Sequence, residues 1–306
     1  MEFFQAIFNM SGASFAQHMV NGISLGSLYA MIAIGYTMVY GILLMINFAH
    51  GDIVMMACYF AFFGITVFNI PWYLTFVGVI IATALLGVVI ERAAYRPLRD
   101  APKNSVLISA IGASFLLENL ANYLFSGRPL RFPNIEFLAQ NINIAGVQVQ
   151  AISLVIPVVT ILCLVVLLHI VNHTKIGMSM RAVSKDYEIA RVMGINIDNV
   201  ISITFAIGSI LAAIGAIMWG IRYPGVTPRL GVMPGLKCFI AAVIGGIGNI
   251  KGAVLGGFIL GLGEILIVAF FPQLSGYRDA FAFIVLIIIL FYKPTGLLGE
   301  KTTEKV

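Results

Sequence analysis

Long apolar runs alternate with short polar connections along the whole chain. The runs cover Met19 to Ile46, Ile53 to Phe68, Leu74 to Ile90, Val106 to Phe125, Ile152 to Val171 and Val200 to Ile221. A further stretch, Leu236 to Phe271, is interrupted at Gly248 to Gly252, and a last run spans Phe281 to Tyr292. A bilayer core of about 30 Å takes about 20 helical residues. Most runs meet that length, but Leu236 to Ile247 is too short to span comfortably. The pattern predicts an all-α polytopic integral membrane protein with about eight or nine membrane segments, some broken or re-entrant. All of them belong to one transmembrane domain over residues 1–306.

Two polar or glycine-rich interruptions fall inside apolar sequence: Asn47 to Asp52 (NFAHGD) and Gly245 to Gly252 (GGIGNIKG). Unwound backbone at membrane depth is tolerated where it is buried or lines a cavity. Broken-helix ends also suit the charged termini of an amino-acid zwitterion. Small residues recur at four-residue spacing at Gly208, Ala212, Ala216 and Gly220, a ridge for close helix packing. At an offset of 182 residues, Leu25-Gly26-Ser27-Leu28 matches Ile207-Gly208-Ser209-Ile210. The first run heads inward and the sixth outward, so such a repeat would be inverted, with the pathway near its interface.

One stretch breaks the apolar pattern altogether. Lys175 to Ile195 carries Lys175, Arg181, Lys185, Asp186, Glu188 and Arg191 between two membrane-length runs. In hydrocarbon each charge would cost about 3 kcal/mol or more, so this stretch lies outside the membrane. Val183, Tyr187, Ala190 and Gly194 fall on one helical face. Ser184 suits an N-cap and Gly194 a C-terminal stop. The spacing predicts one short amphipathic helix, at about 181–195, offering an apolar stripe to a partner protein.

Composition sharpens the class. Only 10% of residues are charged and mean hydropathy is +1.01; soluble proteins carry about 25% charged residues. The net charge of +5 follows from basic residues in the connections, which points to membrane topology rather than to nucleic acid. Arg92 to Lys103, the 175–195 stretch, Lys251 and the C-terminus hold 12 of the 18 Lys and Arg residues. The positive-inside bias places these in the cytosol, with an external N-terminus and a cytosolic C-terminus. MEFFQAIFNMSG lacks the basic start of a cleavable signal peptide. Cys58, Cys163 and Cys238 are far apart and read as small buried apolar residues.

Candidate chemistry is sparse. There is no G-x4-GK[ST], HExxH or GxSxG, so any ATP-driven work falls to a partner. His169 and His173 have ligand-like spacing but read as interfacial residues beside Asn172, and no metal or other cofactor is expected. Intramembrane polar residues are stronger candidates, because ionisable groups there face a pathway or a partner. On that ground Asn47, His50, Gly51, Asp52, Glu118, Gly245, Gly246, Gly248 and Glu264 are candidate pathway or gating residues. Structural roles compete: Glu118 could fix helix packing and Asp52 could cap a helix.

Glu188-Ile189-Ala190-Arg191-Val192-Met193-Gly194 resembles the E-x-A-x3-G core of the cytosolic coupling loop of ABC importer permeases. INFAHGDIVMMACYF (Ile46 to Phe60), AAVIGGIGNIKGAVLGG (Ala241 to Gly257) and RAVSKDYEIARVMGIN (Arg181 to Asn196) resemble the LivH-type permease family of branched-chain amino-acid ABC importers. The likeness runs from about Asn21 to Gly299. It implies a transport subunit rather than an enzyme, in the bacterial cytoplasmic (inner) membrane. It implies a second related permease subunit in a heterodimer, two ABC ATPase subunits on the cytosolic side and a periplasmic or external substrate-binding protein. Arg181, Ala182, Val183, Asp186, Tyr187, Glu188, Ala190 and Gly194 would then couple to an ATPase. Relatives of this kind also move urea and short amides. From the residues alone, an ion-coupled transporter using Glu118 or Glu264, a membrane-embedded enzyme and a passive channel remain rivals.

Overall fold

The computed structural model describes residues 12–99, 101–144 and 146–299. Among these, eight helices are long and apolar enough to cross a membrane. In chain order the helices are α1 (Gly12–Leu43), α2 (His50–Phe62), α3 (Trp72–Ile90), α4 (Lys103–Phe125), the short α5 (Glu136–Ala139) and α6 (Ala151–His173). They continue as α7 (Lys175–Lys185), α8 (Tyr187–Val192), α9 (Ile197–Arg222), α10 (Val232–Gly245), α11 (Ile250–Phe270) and α12 (Arg278–Tyr292). α2 and α3 each end in a π-turn, Phe63–Val67 and Glu91–Tyr95. The polar connection after α4 is not wholly irregular. It forms a hairpin of β2 (Asn141–Ile144) and β3 (Val147–Gln150), while β1 (Leu130–Arg131) pairs with β4 (Gly225–Val226). We call the β1–β4 end of the bundle upper and the α7–α8 end lower.

α1 is the central post, with Leu28 and Ala30 to Ile34 fully buried. Its small residues let two neighbours approach closely. On one side Gly26 and Ala30 meet Gly261 and Gly257 of α11; a Cβ added at Gly257 would lie 2.6 Å from the Ala30 Cα. On another side Gly35 meets Gly208 of α9. The predicted small-residue ridge of α9 is in contact as well: the Cys58 thiol of α2 donates to the Ala216 carbonyl, and Gly220 lies on the Phe132 ring. α3, α4, α6 and α12 form the apolar exterior, as the Ile81, Leu85, Ile161 and Ile287 side chains illustrate. Trp72 and Tyr73 are exposed at the start of α3, as suits aromatic side chains at a membrane interface.

The repeat extends beyond its sequence match. α2 starts at His50 and α10 at Val232, an offset of 182 residues. α1 packs antiparallel to α9 and to α11: Gly35 meets Gly208 while Ile32 meets Gly215, and Gly22 meets Leu262 while Gly26 meets Phe258. α3 packs antiparallel to α9, through Gly87 on Ser209 at one point and Glu91 on Ser202 below it. Helices α1 and α3 therefore run opposite to α9 and α11, an inverted arrangement.

Three sequence readings need correction. The first break is Leu44 to Ala49, because His50, Gly51 and Asp52 already form the first turn of α2. Asp52 caps nothing there: the N-cap position is Ala49, without a side-chain bond. The 175–195 stretch is two helices rather than one, since Asp186 takes an extended conformation between α7 and α8. Thr174 caps α7 and Asp186 caps α8, whereas Ser184 lies inside α7 and donates to the Arg181 carbonyl.

Candidate functional site

At mid-bundle the starts of α2 and α10 cross. A Cβ at Gly235 would sit 2.8 Å from the Gly51 Cα, and Gly231 rests on the Gly51 carbonyl. Backbones this close admit only glycine, which accounts for three glycines at one crossing. Around the crossing lie most of the predicted polar residues. Asp52 is 3% exposed and accepts the Ser114 hydroxyl of α4. Ser114 and Glu118 share one face of α4, four residues apart. His50 is buried against the Tyr36 ring, 4.5 Å between centroids, with Nε2 unpartnered among the described residues. Asn47 lies lower, where its side-chain oxygen accepts the Tyr95 hydroxyl at 2.9 Å.

Two cavities adjoin this crossing and share Glu118. One, about 170 Å³, is bounded by Tyr36, Phe48, Asp52, Ser114, Val232 and Phe239. The other, about 430 Å³, is bounded by Phe115, Asn119, Asn122, Thr227 and Arg229. Asn119 and Asn122 are exposed on a helix that otherwise presents Ile108, Phe115 and Leu116. A polar stripe of this kind on a membrane helix faces water or protein rather than lipid.

The structure does not bring the remaining pathway candidates to this cluster. Glu264 is fully buried in the upper half, where Lys237 of α10 pairs at 3.0 Å and Arg278 of α12 at 2.7 Å. The Tyr29 hydroxyl of α1 donates to the same carboxylate at 3.2 Å. Lys237 also reaches Asp279 at 2.6 Å. This network joins four helices, and its two cations satisfy the carboxylate. Gly245, Gly246 and Gly248 instead form the lower turn between α10 and α11. Gly246 and Gly248 have φ of +104° and +95°, which only glycine adopts without strain. The chain after α12 seals that turn: the Leu297 and Leu298 amides donate to the carbonyls of Ile244 and Gly245, each at 2.8 Å. Asn249 caps α11 and donates to the Leu298 carbonyl.

The lower insertion is anchored and exposed at once. Val183 and Ala190 are buried in the chain's own core, and the Tyr187 hydroxyl donates to the Ile42 carbonyl at the foot of α1. Burial pushes the Tyr187 phenol above its ordinary range, partly offset by Arg99. Arg181 donates to the Val171 carbonyl, and Ala182 is half-buried. The Asp186 carboxylate accepts the Glu188 and Ile189 amides at 2.9 and 3.0 Å. Gly194, φ +82°, ends α8, with the Ile195 amide donating to Ala190. The predicted stripe therefore packs inward. The outward face carries Glu188 with Ile189, Val192 and Met193, which are 62%, 86% and 75% exposed.

Several site residues were missed in the sequence. Arg229 and Ser114 line the cavities, and Lys237 pairs Glu264. Arg99 and Ser202 hold the buried Glu91 at 3.1 and 2.7 Å, while Arg96 and Arg99 pair Asp198. A signal existed in one case: Lys237 and Glu264 are opposite charges in neighbouring apolar segments.

Residues 18–290 match the family described as branched-chain amino acid transport system / permease component. The high-affinity branched-chain amino acid transport system permease protein BraD of Pseudomonas aeruginosa is 41% identical over 305 residues, covering 95% of this chain and 98% of that one. LivH of Escherichia coli K12, with the same description, is 40% identical over 303 residues, with the same coverage. Among solved structures, PsaBC from Streptococcus pneumoniae in complex with Fab matches at a TM-score of 0.50 and 15% identity, covering 96% of both chains, a likeness of fold. The chain is a member of the branched-chain amino acid transport system permease family.

Proposed function

We propose that this chain is a membrane-spanning permease subunit of an ATP-driven importer for branched-chain amino acids in the bacterial cytoplasmic membrane. The substrate class rests on the relatives, whose names specify high-affinity branched-chain amino acid transport. A second related permease subunit completes the pathway along the polar face of α4. Two ABC ATPases dock on the lower side, which is cytosolic, and an external binding protein delivers substrate above.

One observation carries the ATP-driven reading. The 175–195 insertion is tied to the foot of α1 by Tyr187, yet presents Ile189, Val192 and Met193 to the outside. Exposed apolar side chains backed by a rigid anchor suit a docking partner that pushes. Proteoliposomes holding the assembled transporter test the reading, with binding protein outside and ATP inside. Leucine uptake that needs ATP and all subunits is the expected result. Leucine uptake by this chain alone, driven by a proton or sodium gradient, would overturn it.

A further inference from the structure

A small cavity of about 110 Å³ opens at the lower end of the bundle, between the foot of α1, the end of α6, α7 and the start of α11. Thr37, Arg181, Gly248 and Ile250 are among the residues that line it, and no acidic residue does. Two features of its wall lack a partner. Thr37 is fully buried in α1, yet its hydroxyl bonds to nothing among the described residues. A buried hydroxyl is normally satisfied by protein or by something bound. At the start of α11, Asn249 caps only the Gly252 amide, which leaves the Ile250 and Lys251 amides without an acceptor among the described residues. Free amides at a helix start carry partial positive charge and suit an anion.

Arg181 adds a full positive charge to the same wall. One arm of its guanidinium donates to the Val171 carbonyl at the end of α6, and the group has further donors to spare. α1 also ends here, and the Tyr187 hydroxyl donates to its Ile42 carbonyl. The negative ends of α1 and α6 therefore each have a protein donor, whereas the positive end of α11 keeps two open amides.

We propose that this cavity binds a phosphate group, held by the Arg181 guanidinium, the Thr37 hydroxyl and the first-turn amides of α11. A free phosphate and the headgroup of an anionic phospholipid offer that same chemistry, and both reach the lower end of membrane-spanning helices. Bound there, the group bridges α7 to α11, which no hydrogen bond joins directly among the described residues. The supply of phosphate groups then sets how firmly the lower insertion is held against the bundle. The site does not depend on which solute the chain moves.

Hydrogen exchange on the full chain in maltoside micelles, which contain no phosphate, reads the site at residues 250–252. One arm adds inorganic phosphate, a second adds phosphatidylglycerol to the micelles, and sodium chloride at matched ionic strength is the control. Exchange at 250–252 should slow at least about tenfold with one or both phosphate sources and not with chloride. A response to inorganic phosphate alone identifies a soluble ligand, and a response to phosphatidylglycerol alone identifies a lipid; each supports the site. Thr37→Val removes a hydroxyl that has no protein partner, so the unfolding midpoint without phosphate should not fall. The same variant should bind the effective phosphate source at least about tenfold more weakly, because a hydrogen bond to a charged group is lost. No slowing with either source overturns the proposal, and so does equal slowing with chloride. A Thr37→Val chain that binds as tightly as the unaltered one, or that unfolds at a lower midpoint without phosphate, overturns it too.

Discussion

Lys237 Nζ lies 3.0 Å from the Glu264 carboxylate, and neither group contacts the acidic cluster at Asp52 and Glu118. The contact makes Glu264 a structural anion, with Arg278 on its other oxygen. Removing one partner of a buried ion pair leaves the others charged in a poor solvent for charge. Glu264→Gln should therefore destabilise the chain by about 3–5 kcal/mol. Thermal unfolding in detergent checks this against Asp279→Asn, whose side chain is 54% exposed and should shift the midpoint little. Equal midpoints for the two variants would refute the structural role.

The α1–α11 contact should be intolerant of a single methyl group. Gly257→Ala places a Cβ on the Ala30 backbone, where neither helix can yield without moving the other. Overpacking of this kind costs about 1–3 kcal/mol. Gly78→Ala, with open space around it, is the control and should be neutral or slightly stabilising. Stability of both variants by thermal unfolding decides the point.

Asp186 should set the angle between α7 and α8. Asp186→Ala removes the cap on two amides and should weaken α8 by about 0.5–2 kcal/mol. Hydrogen exchange should rise at residues 187–193 and stay unchanged in α9. Tyr187→Phe should loosen the same region by releasing the Ile42 carbonyl. The raised Tyr187 phenol sets the pH dependence. Burial favours the protonated form, so its contribution is full below the ordinary tyrosine value near 10 and declines only as pH rises above that value. Protection of the 187–193 amides, once the base catalysis of exchange itself is divided out, should be constant between pH 6 and 9; a change in that range would contradict the raised phenol.

The sequence made the spans legible because hydrocarbon demands long apolar runs, and α2, α3, α4, α6, α9 and α11 lie close to their predicted runs. Helix ends inside the bundle were harder to read. His50, Gly51 and Asp52 look like a loop by composition, yet they form a helical turn because Gly51 must meet Gly231. No local pattern carries that tertiary demand. The 175–195 stretch was legible as an extramembrane amphipathic element, but its faces were reversed in meaning. Val183 and Ala190 face the chain's own core, so the apolar stripe marks the anchored side. Ile189, Val192 and Met193 fall off that stripe and look incidental until exposure is known. Asp52 and Glu118 were singled out by charge alone; Arg229 escaped because it sits in a proline-rich connection that reads as an ordinary upper loop.

If ATPase work passes through the lower insertion, its exposed edge at Val192 and Met193 must carry the contact. Val192→Asp with Met193→Asp leaves the buried anchors Val183, Tyr187 and Ala190 in place, because both altered side chains point away from the core. The variant chain should fold with an unchanged unfolding midpoint. It should fail to co-purify with the ATPase subunits and lose ATP-driven leucine uptake. Uptake and ATPase association at the level of the unaltered transporter would contradict it.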